Sequence, residues 1–429
     1  GTGTGTGIVN INAGNLKLNR FVNRKAGATG TTGISYLNLN GGTLIATPST
    51  LTSPNQNFSR NFLPPLTAVY VNGPFGSFAG GAVIDTAGQD CLVEAALLAP
   101  TGEGISALAV ADGGSGYIGA PYVSIVGDGT GATAIANMVS DGSGGLRIGS
   151  VTVCNPGVNY TAAGTYFTFV GGAPTVAATP GAVSTAPNTS GGLTKNGSGM
   201  LTLQGVNTYT GATVVNDGTL RVDGSLDAGP VAVAGGALSG NGVLAGPVSV
   251  TSGTLAPAGL LSINNTLTFA PTAKALMSVN ADAASSDLVQ GITSVTYNGT
   301  LILTNTAGTL AANQTFQLFS AAAHSGTFAT IESAGGGATW SFDPATGVAT
   351  VLSTMATTPT NISFSINSAG TELSLTWPGS HSGWLAQSNA VNVADPAQWF
   401  DIPGSSSGTN LVITVDKSMD NVFYRLRKP

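Results

Sequence analysis

Apolar and polar residues alternate along this chain with a period of two, in short bursts broken by glycine. Residues 9–18, VNINAGNLKL, and 37–46, LNLNGGTLIA, carry the same pattern at an offset of 28, with Val9 and Ile11 matching Leu37 and Leu39, and Leu16 matching Leu44. In a strand, that alternation puts the matched residues on one face. A second pair, ISALAVADGGSGY (105–117) and IGSVTVCNPGVNY (148–160), recurs at an offset of 43. Each copy is followed by another strand-like run, YVSIVGD (122–128) or YFTFVGG (166–172). A third series, Gly218-Thr219-Leu220, Gly236-Ala237-Leu238 and Gly253-Thr254-Leu255, is spaced by 18 and then 17 residues, and similar triplets return at Gly299 and Gly308. Each triplet sets a turn glycine before a leucine placed to point inward.

Short strands, glycine corners and a near-constant coil length predict an all-β chain: a right-handed parallel β-solenoid (β-helix) followed by a small C-terminal β-sandwich. Stacked coils pair their backbones with both neighbours and share one continuous core. The pattern divides the solenoid into Gly-rich repeats over 1–190, a second repeat region over 191–270 and an end or cap over 271–352. STMATTPT (353–360) reads as a linker, and 361–429 as the sandwich, which holds three of the four tryptophans, Trp377, Trp384 and Trp399. Those tryptophans are either its core or a surface for binding sugars.

Composition sharpens this picture. Only 7% of the 429 residues are charged, the net charge is −6, and 62 residues are glycine. Helix-forming Glu, Lys, Arg and Gln are scarce, and with 13 basic residues nucleic acid is an unfavourable partner. No apolar run approaches the roughly 18 residues of a membrane-spanning helix. The chain opens on Gly1 without a methionine, which reads as a processed end. Two cysteines, Cys91 and Cys154, leave open either a disulfide or two buried thiols.

In GGLTKNGSGMLTLQGVNTYTGATVVNDGTLRV, residues 191–222, the elements LTK-x-G-x-G-x-L-x-L, N-x-Y-x-G-x-T and N-x-G-T-L stand in order. The segment resembles the autotransporter-associated β-strand repeat of bacterial surface and secreted passenger proteins. More loosely, residues 105–172 and 287–328 look like stretches that accompany such repeats. The resemblance implies a parallel β-helix exposed outside the cell. A classical autotransporter ends in an outer-membrane barrel, whereas the last residues here read as a soluble module, so self-translocation is not carried over. That module, closing on FYRLR, resembles fibronectin-like appendages of secreted bacterial proteins.

Chemistry is sparse. His324 and His381 lie far apart, and no HExxH, Walker or Cys/His metal spacing occurs, so no cofactor or metal is expected. Gly404-Ser405-Ser406-Ser407-Gly408 matches G-x-S-x-G without the helix that a nucleophile elbow requires. Glu103, Asp112, Asp128, Asp141 and Arg147 form the one local concentration of charge, a set that a polysaccharide lyase or hydrolase would use. Three of them sit in the turn strings ADGG, GDGT and SDGS, where aspartate bonds its own backbone.

The composition instead favours assembly. Gly1, Thr2, Gly3, Thr4, Gly5, Thr6, Gly7, Ile8, Val9 and Ile11 form an edge without charge or proline, the guards that keep strand edges from pairing. The leading expectation is a non-enzymatic extracellular protein whose subunits join head to tail into a fibre or surface layer by strand addition. A surface adhesin binding glycans through the solenoid flank or the tryptophans is the alternative, and the carbohydrate enzyme a third reading.

Overall fold

The 28-residue repeat is a stacking register. In the computed structural model, which describes residues 6–21, 34–48, 61–334, 338–354, 360–381, 383–419 and 421–428, strand Thr6–Ile11 pairs in parallel with Ile34–Ala46 so that Val9 faces Leu37 and Ile11 faces Leu39. Asn15–Leu18 pairs with the far half of the same strand, setting Leu16 beside Leu44. The described chain is nearly all β, with three short 3-10 helices as its only helices. It divides into two compact units: residues 1–275, 288–299 and 320–327; and residues 276–287, 300–319 and 328–429.

The first unit is a parallel β-solenoid. Apart from the six-residue Thr6–Ile11 and the thirteen-residue Ile34–Ala46, strands mostly of two to five residues add to three growing parallel sheets. The glycine triplets stack: Leu220, Leu238 and Leu255 are consecutive partners, and all three are fully buried. Burying a leucine side chain is worth about 2 kcal/mol, and Val215, Val233 and Val250 stack in the same way in a second sheet. Gly218 has φ +62°, and a β-carbon there would overlap the carbonyl oxygens of Gly197 and Gly199 in the coil below. The corner admits only glycine.

Residues 103–187 depart from this plan, and the expectation of one solenoid through 1–190 is corrected here. Strand Gly81–Asp85 is continued by Leu193–Asn196, with Ile84 beside Lys195, and Cys91–Val93 is continued by Met200–Leu203. The coil before the excursion and the coil after it are therefore direct neighbours. Between them the chain builds six antiparallel strands: Glu103–Asp112, Tyr122–Val126, Thr133–Ser140, Leu146–Asn155, Tyr166–Val170 and Thr179–Pro187. Pro187 returns opposite Glu103, and the Asn188 side chain ties both ends by donating to the oxygens of Thr101 and Gly157.

The 43-residue repeat is nonetheless real. It relates the first three of these strands to the last three by a pseudo-twofold: Tyr122–Val126 pairs with its own counterpart Tyr166–Val170, while 103–112 pairs with 179–187 as 146–155 pairs with 133–140. Tyr117 and Tyr160, equivalent in the two copies, are both in the inserted domain's core with Ile105, Ile148 and Phe167. Side-chain alternation is the same in parallel and antiparallel strands, so periodicity alone does not separate the two.

In the second unit a parallel pair, Thr300–Asn305 with Thr330–Ser333, precedes an antiparallel sheet of Thr315–Gln317, Val348–Thr354 and Ala338–Asp343. Phe316 meets Trp340 and Phe342 meets Phe319 and Phe328 in an aromatic cluster. The C-terminal module is a β-sandwich of two three-stranded antiparallel sheets, ordered 363–366, 372–376, 410–414 and 400–401, 385–389, 423–427. Leu375, Trp377 and Ala386 form its core, with Tyr424 and Leu426 packed against them.

Candidate functional site

Strand Leu193–Asn196 alternates buried and half-buried residues, which aims both Leu193 and Lys195 into the stack. A lysine inside a coil must find acceptors, and Lys195 finds four. Its Nζ donates to Thr86 Oγ1 (3.1 Å), and to the main-chain oxygens of Asn196 (2.9 Å), Gly197 (2.6 Å) and Asp217 (3.0 Å). These acceptors belong to three successive coils. Burial holds the Lys195 pKa below its ordinary value, against the opposing pull of Asp217.

Asn207 repeats the device at the next corner. Its Oδ1 accepts from the Leu97 amide at 2.9 Å, and its Nδ2 donates to the oxygens of Gly205 and Ser225, again spanning three coils. Tyr209 is buried with its hydroxyl 2.6 Å from Thr213 Oγ1. A β-carbon on Gly211 would overlap the Gly191 backbone. The LTK, N-x-Y-x-G-x-T and N-x-G-T-L elements are thus the polar clasp of the coils.

Residues 193–222 resemble a known repeat. The family model described as Passenger-associated-transport-repeat matches that span, which contains Lys195, Asn207, Tyr209, Gly211 and Gly218. The passenger-associated repeat implies a secreted or surface-exposed protein. No curated protein and no solved structure matches the chain.

The strand expected to lead assembly lies partly inside the described residues. Gly1, Thr2, Gly3, Thr4 and Gly5 fall outside them. Thr6, Gly7, Ile8, Val9 and Ile11 form the first strand, whose one strand partner among the described residues is Ile34–Ala46. Ile11 is buried, whereas Val9 and Leu16, which share registers with the buried Leu37 and Leu44, are 44% and 37% exposed. The flank of this coil meets the inserted domain: Asn10 donates to Thr133 Oγ1 and Asn12 to the Cys154 oxygen. Asn38 in turn donates to Asn10, and buried Asn72 donates to Asn155.

Three expectations need correction or placing. Cys91 and Cys154 are free thiols, so the disulfide alternative is not formed: Cys91 lies in a solenoid strand and Cys154 in the inserted domain. Trp377 and Trp384 are each 5% exposed and serve the sandwich core, not a binding surface; the Trp399 ring is covered by the Arg425 guanidinium at 4.2 Å. The turn aspartates bond backbone amides: Asp112 accepts from Gly114, Asp128 from Thr161, and Asp141 from Gly116, Ser143 and Gly145. Among the described residues no three metal-ligating side chains gather, and no helix is long and apolar enough to cross a membrane.

Two cavities among the described residues can be placed on the fold. One of about 230 Å³ lies at the root of the inserted domain, between Asn72, Phe75, Pro156 and Asn188. The other, about 280 Å³, is a groove on a solenoid face lined by Asp90, Met200, Gln204 and the Arg221–Asp223 ion pair.

Proposed function

We propose that this protein is a secreted or surface-exposed β-solenoid scaffold that carries the inserted six-stranded domain on its coils and associates with further copies through its first coil. One observation supports it above the others: strand register passes without interruption from Gly81–Asp85 to Leu193–Asn196 across the whole excursion. A domain that leaves and re-enters a stack without disturbing it is an appendage, and rigid stacks are good carriers of appendages. In this reading the protein works by structure and contact, without turnover.

Association rests on the first coil. Val9 and Leu16 are aligned with core residues yet exposed, and the edge carries no charge before Lys17. Added strands gain backbone hydrogen bonds and cover those side chains. Electron microscopy of the full chain over a range of concentrations tests this, beside a variant lacking residues 1–12. Filaments or paired particles that vanish in the variant are expected. Single particles at every concentration, or assemblies indifferent to the deletion, contradict it. An adhesin reading draws on a different observation, the exposed face of the inserted domain.

A further inference from the structure

The two layers of the inserted domain pack Val123, Ala136, Ile148 and Phe167 inward. The opposite side of its four-stranded sheet is therefore solvent-facing, yet it is not polar. Tyr122 and Val170 are cross-strand partners there, as are Val126 and Tyr166, and Ile135 lies beside Tyr122. Tyr122 is 69% exposed and Tyr166 59%. The pseudo-twofold makes the two tyrosines equivalent, each on one strand with a valine of the other strand opposite.

Between the two Tyr/Val pairs lie Ser124 and Thr168, themselves cross-strand partners, and the outer strands add Ser150 and Thr152, with Asn137 donating to both Ser150 Oγ (3.0 Å) and Thr152 Oγ1 (2.8 Å). Arg147, at the rim opposite Val139, is the face's charged residue. Aromatic rings and aliphatic side chains interleaved with hydroxyls and an amide suit a ligand with both apolar C–H surfaces and many neutral hydroxyls. They offer little to an anion.

Size narrows the occupant further. Four strands about 4.8 Å apart, two of five residues and the others of eight and ten, at about 3.4 Å per residue present roughly 450 Å². A stable protein partner needs about 800 Å² from each side. A polymer with a repeating unit gains strength from many copies of a small site, and a surface scaffold supplies those copies.

We propose that the Tyr122/Tyr166 face binds an uncharged polysaccharide, the sugar rings lying against the tyrosines and their hydroxyls bonding to the Ser, Thr and Asn side chains. The proposal stands apart from self-association, because binding and assembly are read separately.

The test is depletion binding of the full-length protein to suspended cellulose, chitin, mannan and β-glucan, with polygalacturonate and phosphatidylcholine vesicles alongside. Binding to at least one uncharged polysaccharide is expected, unchanged between about 50 and 500 mM NaCl because no ion pair is involved. The Tyr122→Ser/Tyr166→Ser variant, with circular dichroism unchanged, should bind about tenfold more weakly, and the Tyr→Phe pair within about threefold of the parent. Failure to bind any of the four uncharged polymers overturns the proposal. So does binding that ignores the serine pair, or capture by polygalacturonate or vesicles alone. If sedimentation instead shows an oligomer that the serine pair dissociates, the face is an interface between copies and the proposal is wrong.

Discussion

Lys195 donates a 3.0 Å hydrogen bond to the main-chain oxygen of Asp217, 22 residues further along the chain. With its bonds to Thr86, Asn196 and Gly197, that contact makes one ammonium group the common partner of three coils. Replacing it with methionine keeps the volume and leaves several buried oxygens without a donor. Lys195→Met should cost about 3 kcal/mol and lower Tm by roughly 5 °C, whereas the exposed Lys274→Met should stay within about 0.5 kcal/mol. Thermal and urea unfolding of the two variants check this.

Gly218 sets the corner that brings Asp217 within reach. Its φ of +62° is unfavourable to any side chain, and its β-carbon position is filled by the oxygens of Gly197 and Gly199. Gly218→Ala is expected to destabilise by about 3 kcal/mol or to prevent folding. Gly119→Ala is the control: nothing lies within 4 Å of its β-carbon position, and urea midpoints should show no change.

Asp128 and Asp141 hold the turns of the inserted domain. Hydrogen bonds from the Thr161 hydroxyl and amide keep the Asp128 carboxyl below its ordinary 3.8, and the Ser143 and Gly116 amides do the same for Asp141. A carboxyl depressed in the folded state binds fewer protons there than in the unfolded chain. Its contribution is thus complete above 3.8 and is lost as pH falls through the folded value. Tyrosine fluorescence melts between about pH 5 and pH 2 should show the parent losing stability with acid, and Asp128→Asn/Asp141→Asn losing less over the same range because it starts lower.

The thiols give a chemical check. Burial pushes the Cys91 thiol up to about 12, with Lys195 opposing and Asp90 adding, and burial also raises Cys154. Native protein at about pH 8 should resist iodoacetamide at Cys91, because attack requires the thiolate. In denaturant without reductant both cysteines should label, as read by mass spectrometry. Labelling that requires prior reduction would mean a disulfide after all.

Much of the solenoid was legible in the chain. The offset of 28 gives the pairing of Leu16 with Leu44, and the 18 and 17 spacings give the Leu220–Leu238–Leu255 ladder. Stacked coils repeat their own environment, so identical residues recur where identical contacts do. The inserted domain was legible as a duplication but not as an antiparallel structure, since the alternation of Ile105 or Ile148 states a buried face without stating the partner strand's direction. Trp377 packs with Leu375 and Ala386, and Trp384 is equally shielded, because a large aromatic ring gains much from leaving water. Lys195 and Asn207 were visible only as letters of a motif; their role depends on which carbonyls the neighbouring coils bring near. The Tyr122/Tyr166 face gave no local signal, because exposure of one side of a strand is a property of the assembled sheet.

The most direct test of the scaffold account is to excise residues 103–187 and join Gly102 to Asn188 through a short Gly-Ser linker, then measure circular dichroism and thermal unfolding. If the inserted domain is an appendage on a continuous stack, the shortened chain will keep its β spectrum, unfold cooperatively and melt within about 5 °C of the parent's solenoid transition. If instead the spectrum collapses or cooperative unfolding disappears, the coils on either side depend on the excursion between them, and the account is wrong.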